Sequence, residues 1–293
     1  MNVSEEIKML IAKGTSIIPD KAYISMIYFL RLHKRMNWRD PKSFSEKLQW
    51  LKIHNRNPEY TRIVDKYEMK SFVTERLGEG YTVPTIGLWN KAEDIDFNAL
   101  PDRFVIKCTH DSGSNVLCKD KEKLDIASVK KHLSKCLKNN LYCLSREWPY
   151  KNVKPRIIAE EFLEDNTQDS LTEYKLFCFD GEVKMVLVCK GVAHTKNRTN
   201  DFCDVNLNRF PFTSLLPNSE GPLDKPTCYD ELLCCAAKLA QGFPQVRVDA
   251  YVLDNKFYFG ELTLFHNSGL RKFDPPEWDE KLGSWIQLPQ KGE

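Results

Sequence analysis

The chain has 293 residues, 42% of them hydrophobic and 29% charged, with a formal net charge of +2. That is enough apolar material for one large or two ordinary domains, and too little net charge to point to a nucleic-acid partner. No apolar run approaches the roughly 20 residues of a membrane span, and the start "MNVSEEIKML" lacks the basic residues of a secretory signal, so a soluble, cytoplasmic protein is expected.

The ten cysteines contain no CxxC pair, and several (Cys108, Cys178, Cys189, Cys234, Cys235) sit within apolar strand-like or helical runs. Buried thiols are therefore expected, not disulfides or zinc. No repeat and no low-complexity tract interrupts the chain.

Residues 20 to 77 read as helical. "PDKAYISMIYFLRLHKRM" comes first; "SFSEKLQWLKI" follows and opens with a Ser43-x-x-Glu46 capping pattern; "YTRIVDKYEMKSFVTERLG" then places Ile63, Tyr67, Phe72 and Leu77 roughly on one side and Gly78 as a stop. "YFLRLHKRMNWR", residues 28 to 39, gathers Arg31, His33, Lys34, Arg35 and Arg39 beside aromatics. It reads either as a dock for an anionic polymer or membrane surface, or as an amphipathic helix on the core with a solvated basic face.

From about residue 82 short strand-like runs take over, with helices near 122 to 140 and 229 to 241. Strands and helices mix without strict alternation, which argues for an α+β fold. "FVIKCTHDSGSN" (104 to 115) delivers Lys107 near a strand end and runs into a loop with Ser112, Gly113 and Ser114. Such a loop brings backbone N–H groups to an anion, although neither GxxxxGK[ST] nor GxGxxG is present, and a plain surface turn reads equally well. "RIIAEEFLED" (156 to 165) is an apolar strand followed by carboxylates. "EYKLFCFDGEVKMVLV" (173 to 188) reads as a hairpin about Asp180-Gly181, with Lys175 in need of an anionic partner or a route to solvent.

"RVDAYVLDNKFYFGELTLFHNSGL" (247 to 270) reads as a second hairpin, turning at Asp254-Asn255-Lys256. Period two puts Arg247, Asp249 and Tyr251 on one face of the first strand, and Glu261 and Thr263 on one face of the second. A three-residue loop sets Asp249 across from Glu261. Facing carboxylates about 5 Å apart at the β-carbons repel unless a cation joins them, and Mg²⁺ suits such oxygens; the alternative is a solvated sheet face with ordinary acids. Arg247 adds a fork of donors for a phosphate, and the polar turn His266-Asn267-Ser268-Gly269 follows where a substrate would lie.

Taken in order, "DPKSFSEKLQWLKI", "VDKYEMKSFV", "LPDRFVIKCTHDSGSNV", "EYKLFCFDG" and "RVDAYVLDNKFYFGELTLFHNSG" resemble the TupA-like polysaccharide-biosynthesis branch of the ATP-grasp superfamily. The resemblance implies an α+β ATP-grasp fold whose two α+β subdomains clasp the nucleotide. A helical N-terminal segment (1 to 64) would precede an N-terminal subdomain with the phosphate loop (65 to 155) and a C-terminal subdomain with hinge and metal hairpin (156 to 293).

By the same resemblance, Lys66 and Lys107 hold nucleotide phosphates and the loop from His110 to Asn115 closes over them. Glu160, Glu161, Phe162 and Leu163 resemble the adenine hinge, with Glu164 or Asp165 as ribose acceptor; Lys175 joins the ATP-binding residues. Asp249 and Glu261 match magnesium carboxylates, and Arg247 matches the arginine on the transferred phosphoryl group. Thr263 stands where many ATP-grasp enzymes carry asparagine, and the usual N-terminal α/β domain is missing.

The implied activity is ATP- and Mg²⁺-dependent carboxylate–amine ligation through an acyl phosphate, with a uronic-acid-containing glycan or sugar nucleotide and an amino acid or other amine as partners. His266 reads either as a base toward the amine or as a structural or substrate contact. A sugar kinase using the same nucleotide site and a non-catalytic nucleotide-binding scaffold stay open. A glycosyltransferase fits less well, since Asp249 and Glu261 form no DxD pattern.

Overall fold

The computed structural model describes residues 14–164, 171–191 and 197–290. The helices in chain order are α1 (Asp20–Leu32), α2 (Phe44–His54), α3 (Glu59–Ile63), α4 (Glu68–Leu77), α5 (Ile126–Cys136), α6 (Leu141–Ser145), α7 (Tyr229–Leu239) and α8 (Glu277–Ser284). The strands are β1 (Thr85–Trp89), β2 (Phe104–Cys108), β3 (Val116–Cys118), β4 (Ile157–Glu161), β5 (Thr172–Phe179), β6 (Glu182–Lys190), β7 (Thr199–Cys203), β8 (Gln245–Leu253) and β9 (Lys256–Thr263).

These elements form two units that interleave along the chain. One holds the chain up to Pro19, Pro58–Phe72 and Thr82–Leu163; the other holds Asp20–Asn57, Val73–Tyr81 and the chain from Glu164 on. The sequence reading divides the chain at 64/65 and 155/156. The structure sets β4 in the middle of the first sheet, so a cut at 155/156 would take a central strand from it.

In the first unit the strand order is β1-β4-β2-β3, with antiparallel pairing throughout. Alternation does the sorting: Phe104, Ile106 and Cys108 of β2 and Ile157 and Ala159 of β4 enter the core, where Val129, Leu133 and Cys136 of α5 meet them. Those helix positions are spaced four and three apart, one inward stripe, and the Asp125 carboxylate caps the helix by accepting the Ser128 N–H at 3.0 Å. Leu133 is fully buried, so its replacement by alanine is expected to cost about 2–5 kcal/mol.

In the second unit the order is β7-β6-β5-β8-β9, again antiparallel. α7 covers one face: Cys178 lies against the Ala236 carbonyl and the Tyr174 ring meets Tyr229 edge-on. Residues of the other parity, Glu173, Lys175 and Phe177, therefore stand on the opposite face. At the start of α2 the capping box is present, with Ser43 Oγ accepting the Glu46 N–H and Glu46 Oε2 accepting the Ser43 N–H, both at 3.2 Å. Instead of the single helix suggested by residues 60 to 78, the chain breaks between α3 and α4 and spends residues 64–67 on a turn.

Both expected hairpins form. Asp180 and Gly181 turn the β5–β6 pair with positive φ at each position, as a two-residue mirror-image turn requires. In β8–β9 the turn is also two residues, Asp254-Asn255, shorter than the three expected. That register alone would set Asp249 opposite Gly260. A bulge between Asp249 and Ala250 shifts the pairing, so Asp249 does face Glu261, with Gly260 as the extra residue. A β-carbon on Gly260 would sit 2.8 Å from the Tyr251 ring, so the bulge needs glycine.

Candidate active site

In the first unit, the sheet face turned away from the core carries Lys107 and Glu160. The Glu160 carboxylate is 6% exposed and lies between two ammonium groups: Lys70 Nζ is 2.6 Å from Oε1 and Lys107 Nζ 2.5 Å from Oε2. Burial pushes this carboxyl up, but the two lysines outweigh it and hold it below the ordinary carboxylate range. Burial lowers the Lys70 ammonium against the pull of Glu160, and that ammonium also donates to the Val83 carbonyl. Two ammoniums and one carboxylate leave one surplus positive charge on this face, the balance an anion would complete.

The Asp65-Lys66 pair ties the entry of α4 to the loop after β2. Asp65 Oδ1 accepts the N–H groups of Tyr67 (2.8 Å) and Glu68 (3.2 Å), while Oδ2 accepts from Arg156 (2.9 Å) and the Thr109 hydroxyl (3.2 Å). Lys66 donates its backbone N–H to the Thr109 carbonyl at 3.0 Å and its ammonium to the Asp111 carbonyl. In the loop itself Ser112, Gly113 and Asn115 are exposed, and Gly113 adopts φ +93° with open space around it. Ser114 is different: its hydroxyl accepts the Cys108 N–H at 2.8 Å and donates to Asp111 Oδ1 at 2.5 Å, which closes the loop on itself. His110 is buried, and burial pushes the ring below its ordinary value.

At the end of β4, Glu161 is exposed and donates its N–H to the Pro84 carbonyl at 3.1 Å. The Arg103 guanidinium lies over the Phe162 ring at 4.8 Å, and Leu163 and Glu164 are half-buried. Asp165, the other ribose acceptor named from the sequence, lies outside the described residues.

In the second unit, the sheet face opposite α7 gathers Lys175, Arg247, Asp249, Glu261 and Thr263. Lys175 pairs directly across from Asp249, as does Arg247 from Thr263. Asp249 is gripped from both sides: Arg247 gives Nε to Oδ1 (2.6 Å) and Nη2 to Oδ2 (2.7 Å), and Lys175 Nζ reaches Oδ2 at 2.9 Å. Burial raises the Asp249 carboxyl, but the two cations outweigh it and hold it below its usual range. Arg247 Nη2 also donates to Thr263 Oγ1 (3.0 Å), whose hydroxyl donates to Glu261 Oε1 (3.3 Å), so the group continues from cation to a second carboxylate. Glu173 Oε2 receives Lys175 at 3.0 Å and Arg198 at 3.4 Å.

His266 belongs to this network as a partner of Arg247. Arg247 Nη1 lies 2.5 Å from His266 Nδ1, and a guanidinium only donates, so Nδ1 accepts and the neutral ring carries its proton on Nε2; the Asn267 side-chain amide, 2.9 Å away, then turns its oxygen to that proton. Burial and the adjacent Arg247 charge push the imidazole well below its ordinary value. Asn267 is exposed, whereas the rest of the turn is spoken for: Ser268 Oγ accepts from Lys52 Nζ at 2.7 Å, and Gln49 Nε2 donates to the carbonyls of Ser268 (2.8 Å) and Gly269 (3.0 Å). The substrate role expected of Ser268 and Gly269 thus competes with a structural one, pinning the turn to α2.

Lys70, Asp65, Arg156 and Glu173 carry parts of these networks that the sequence reading passed over. Glu173 had a signal, two residues before Lys175 on the same strand face. Asp65 had one too, as a capping residue before α4. Lys70 and Arg156 had none, since their partners lie 90 and 91 positions away. Among the described residues no group of three or more His, Cys, Asp or Glu side chains is placed to hold a metal, so a cation here would rest on Asp249, Glu261 and the Thr263 hydroxyl. All are hard oxygen donors, and one or two carboxylates are what Mg²⁺ asks of a protein whose substrate brings phosphates.

A model of the TupA-like ATP-grasp family matches residues 46–287. No curated protein matches the chain. Among solved structures, a D-alanine–D-alanine ligase from Bacillus anthracis complexed with ATP aligns over 69% of this chain and 55% of its own, at 17% identity and TM-score 0.42. A D-alanine–D-alanine ligase from Helicobacter pylori aligns over 85% and 69% (14%, TM-score 0.44), and an N5-carboxyaminoimidazole ribonucleotide synthetase from Thermus thermophilus over 69% and 45% (11%, TM-score 0.39). The chain spans about half the length of the first and third. At these scores the assignment rests on the family model, not on the structural neighbours.

Proposed function

The chain belongs to the TupA-like ATP-grasp family, and from that premise we propose that it is an ATP- and Mg²⁺-dependent carboxylate–amine ligase. The observation that supports this most directly is the continuous contact path Lys175–Asp249–Arg247–Thr263–Glu261 on one sheet face. It joins donors suited to a transferring phosphoryl group with two carboxylates suited to a divalent ion.

In this reading Lys66, Lys107 and the loop from His110 to Asn115 hold the nucleotide phosphates. The backbone from Glu160 to Leu163 meets the adenine, and Glu164 the ribose. Asp249 and Glu261 hold Mg²⁺, which when bound neutralises phosphate charge. The acceptor's carboxylate oxygen attacks the γ-phosphorus, the bond to the β–γ bridging oxygen breaks, and ADP leaves with that electron pair. The amine then attacks the acyl carbon, loses a proton, and inorganic phosphate departs. Arg247 stabilises the charge that builds on the transferring group, and positioning supplies most of the rest. His266 holds Arg247 in place; with Nδ1 engaged and its basicity suppressed, it is not the base that takes the amine proton.

The family's polysaccharide association makes a uronic-acid carboxylate on a glycan or sugar nucleotide, joined to an amino acid or other amine, our substrate class. One observation favours a second reading: both Asp249 oxygens are already taken by Arg247 and Lys175, as in a scaffold that binds nucleotide without turnover. Magnesium-dependent ADP release by wild type and Glu261→Ala, over a panel of uronic acids and sugar nucleotides with amino acids, separates the two. A ligase needs both acceptors, gives a product of amide mass, and loses activity in the variant. A stable phosphoester would mark a kinase instead, and ATP binding with no turnover a scaffold.

A further inference from the structure

α1 packs through Tyr23, Ile24, Tyr28 and Leu32, which leaves the opposite arc of the helix to solvent. That arc is apolar: Met26 is 42%, Phe29 51% and Leu30 58% exposed. At spacings of three and four they form one stripe. Such a cluster asks for a partner, since exposed apolar residues scattered singly are ordinary and contiguous ones are not.

Charge narrows the choice. Between Lys21 and Arg39 the sequence holds Lys21, Arg31, Lys34, Arg35 and Arg39 and no acidic residue. Arg31, Arg35 and Arg39 are exposed and make no ion pair among the described residues. The flanking acids are already matched, Asp20 with Arg56 at 3.4 Å and Asp40 with Lys42 at 2.7 Å. The loop is held in place, since Trp38 Nε1 donates to Ser25 Oγ at 2.9 Å and Asn37 Nδ2 to the Asp40 carbonyl at 2.8 Å.

A second copy of the chain is a poor occupant, because a two-fold interface would set this basic stretch against itself. A hydrated polyanion answers the charge and leaves Met26, Phe29 and Leu30 in water. An anionic bilayer answers both. We propose that α1 and the loop after it dock on an anionic lipid surface, with Met26, Phe29 and Leu30 entering the interface and Lys34, Arg35 and Arg39 of the loop meeting the headgroups. No helix among the described residues is long and apolar enough to cross a membrane, so the contact is peripheral.

Co-sedimentation of the full chain with vesicles of equal parts phosphatidylglycerol and phosphatidylcholine, against vesicles of phosphatidylcholine alone, tests this. Binding is expected on the anionic vesicles and to weaken as salt is raised. Phe29→Ser with Leu30→Ser should weaken it at least about tenfold, and each of Arg35→Gln and Arg39→Gln roughly fivefold. All four positions are exposed, so unchanged melting curves are expected. Equal binding to both vesicles overturns the proposal, as does unaltered binding by the serine variant. So do two other outcomes: a soluble polyuronate that binds wild type and serine variant alike while vesicles bind neither, or a serine variant that changes only the oligomeric state in analytical ultracentrifugation.

Discussion

The two sheet faces use the same device to different ends. Each holds a buried carboxylate between two cations: Glu160 between Lys70 and Lys107, Asp249 between Lys175 and Arg247. The first group stops there, with positive charge to spare. The second runs on through Thr263 to Glu261 and so gathers a second carboxylate beside the cations. A surplus of ammonium suits an anion such as a phosphate chain; a carboxylate pair flanked by a guanidinium suits a divalent cation with the anion it accompanies.

The comparison breaks first, if it breaks, on the central carboxylates. Glu160→Ala and Asp249→Ala each strand two mostly buried cations, so each is expected to cost about 3–5 kcal/mol, a fall in melting temperature of roughly 6–20 °C. Among the described residues Glu261 accepts one hydrogen bond, from the Thr263 hydroxyl, and Glu261→Ala should cost less than about 1 kcal/mol while removing magnesium-dependent ADP release. Calorimetry beside an ADP assay checks all three. A Glu261→Ala variant as unstable as Asp249→Ala would make Glu261 a structural residue.

Legibility in the sequence also differs between the faces. The hairpin group could be read because Arg247, Asp249, Glu261 and Thr263 lie within 17 positions on two alternating strands, where period two fixes the face. Even there the predicted loop was one residue too long, and the expected pairing survives because the Gly260 bulge restores the register. A lone glycine in a strand hints at a bulge without saying which way it shifts. The Glu160 group stayed hidden because Lys70 arrives from a helix and Glu160 from a strand, and neither spacing nor periodicity predicts an ion pair across such a separation. For the same reason a carboxylate expected near adenine turns out to have its side chain between two lysines. In the 110–115 and 266–269 loops the residue types were legible, but not which hydroxyls the loops would use on themselves.

Acid should expose the next difference. His266 and His110 both have lowered pKa values in the folded chain, so the unfolded chain binds more protons than the folded one once pH falls below about 6.5. Stability should therefore decline from about pH 6.5 downward, through each histidine's folded value. Glu160 and Asp249, also lowered, add their loss only below about pH 4. His110→Gln should remove its own share of that decline, and His266→Gln its share. At pH 8 His266→Gln should also cost about 1–3 kcal/mol, since Arg247 loses its acceptor. Urea denaturation from pH 8 to 5 gives both slopes; equal slopes in wild type and His266→Gln would mean the ring titrates normally.

The smallest expected effect concerns Thr263, the link between Arg247 and Glu261. Thr263→Val keeps the shape and β-branching of a strand residue and removes only the hydroxyl, so the loss is two hydrogen bonds at the rim of the group, about 1 kcal/mol of stability. If the hydroxyl only orients its neighbours, the magnesium concentration for half-maximal activity should rise by roughly tenfold at most, because Arg247 still grips Asp249 through two bonds. Thr263→Asn then discriminates further. An amide oxygen is the better metal ligand, so a lower magnesium requirement in this variant would place position 263 on the ion. A higher one, with ATP binding intact, would say that the threonine's work is to tie Arg247 to Glu261, a task the first sheet face, which has no second carboxylate in its group, does not need done.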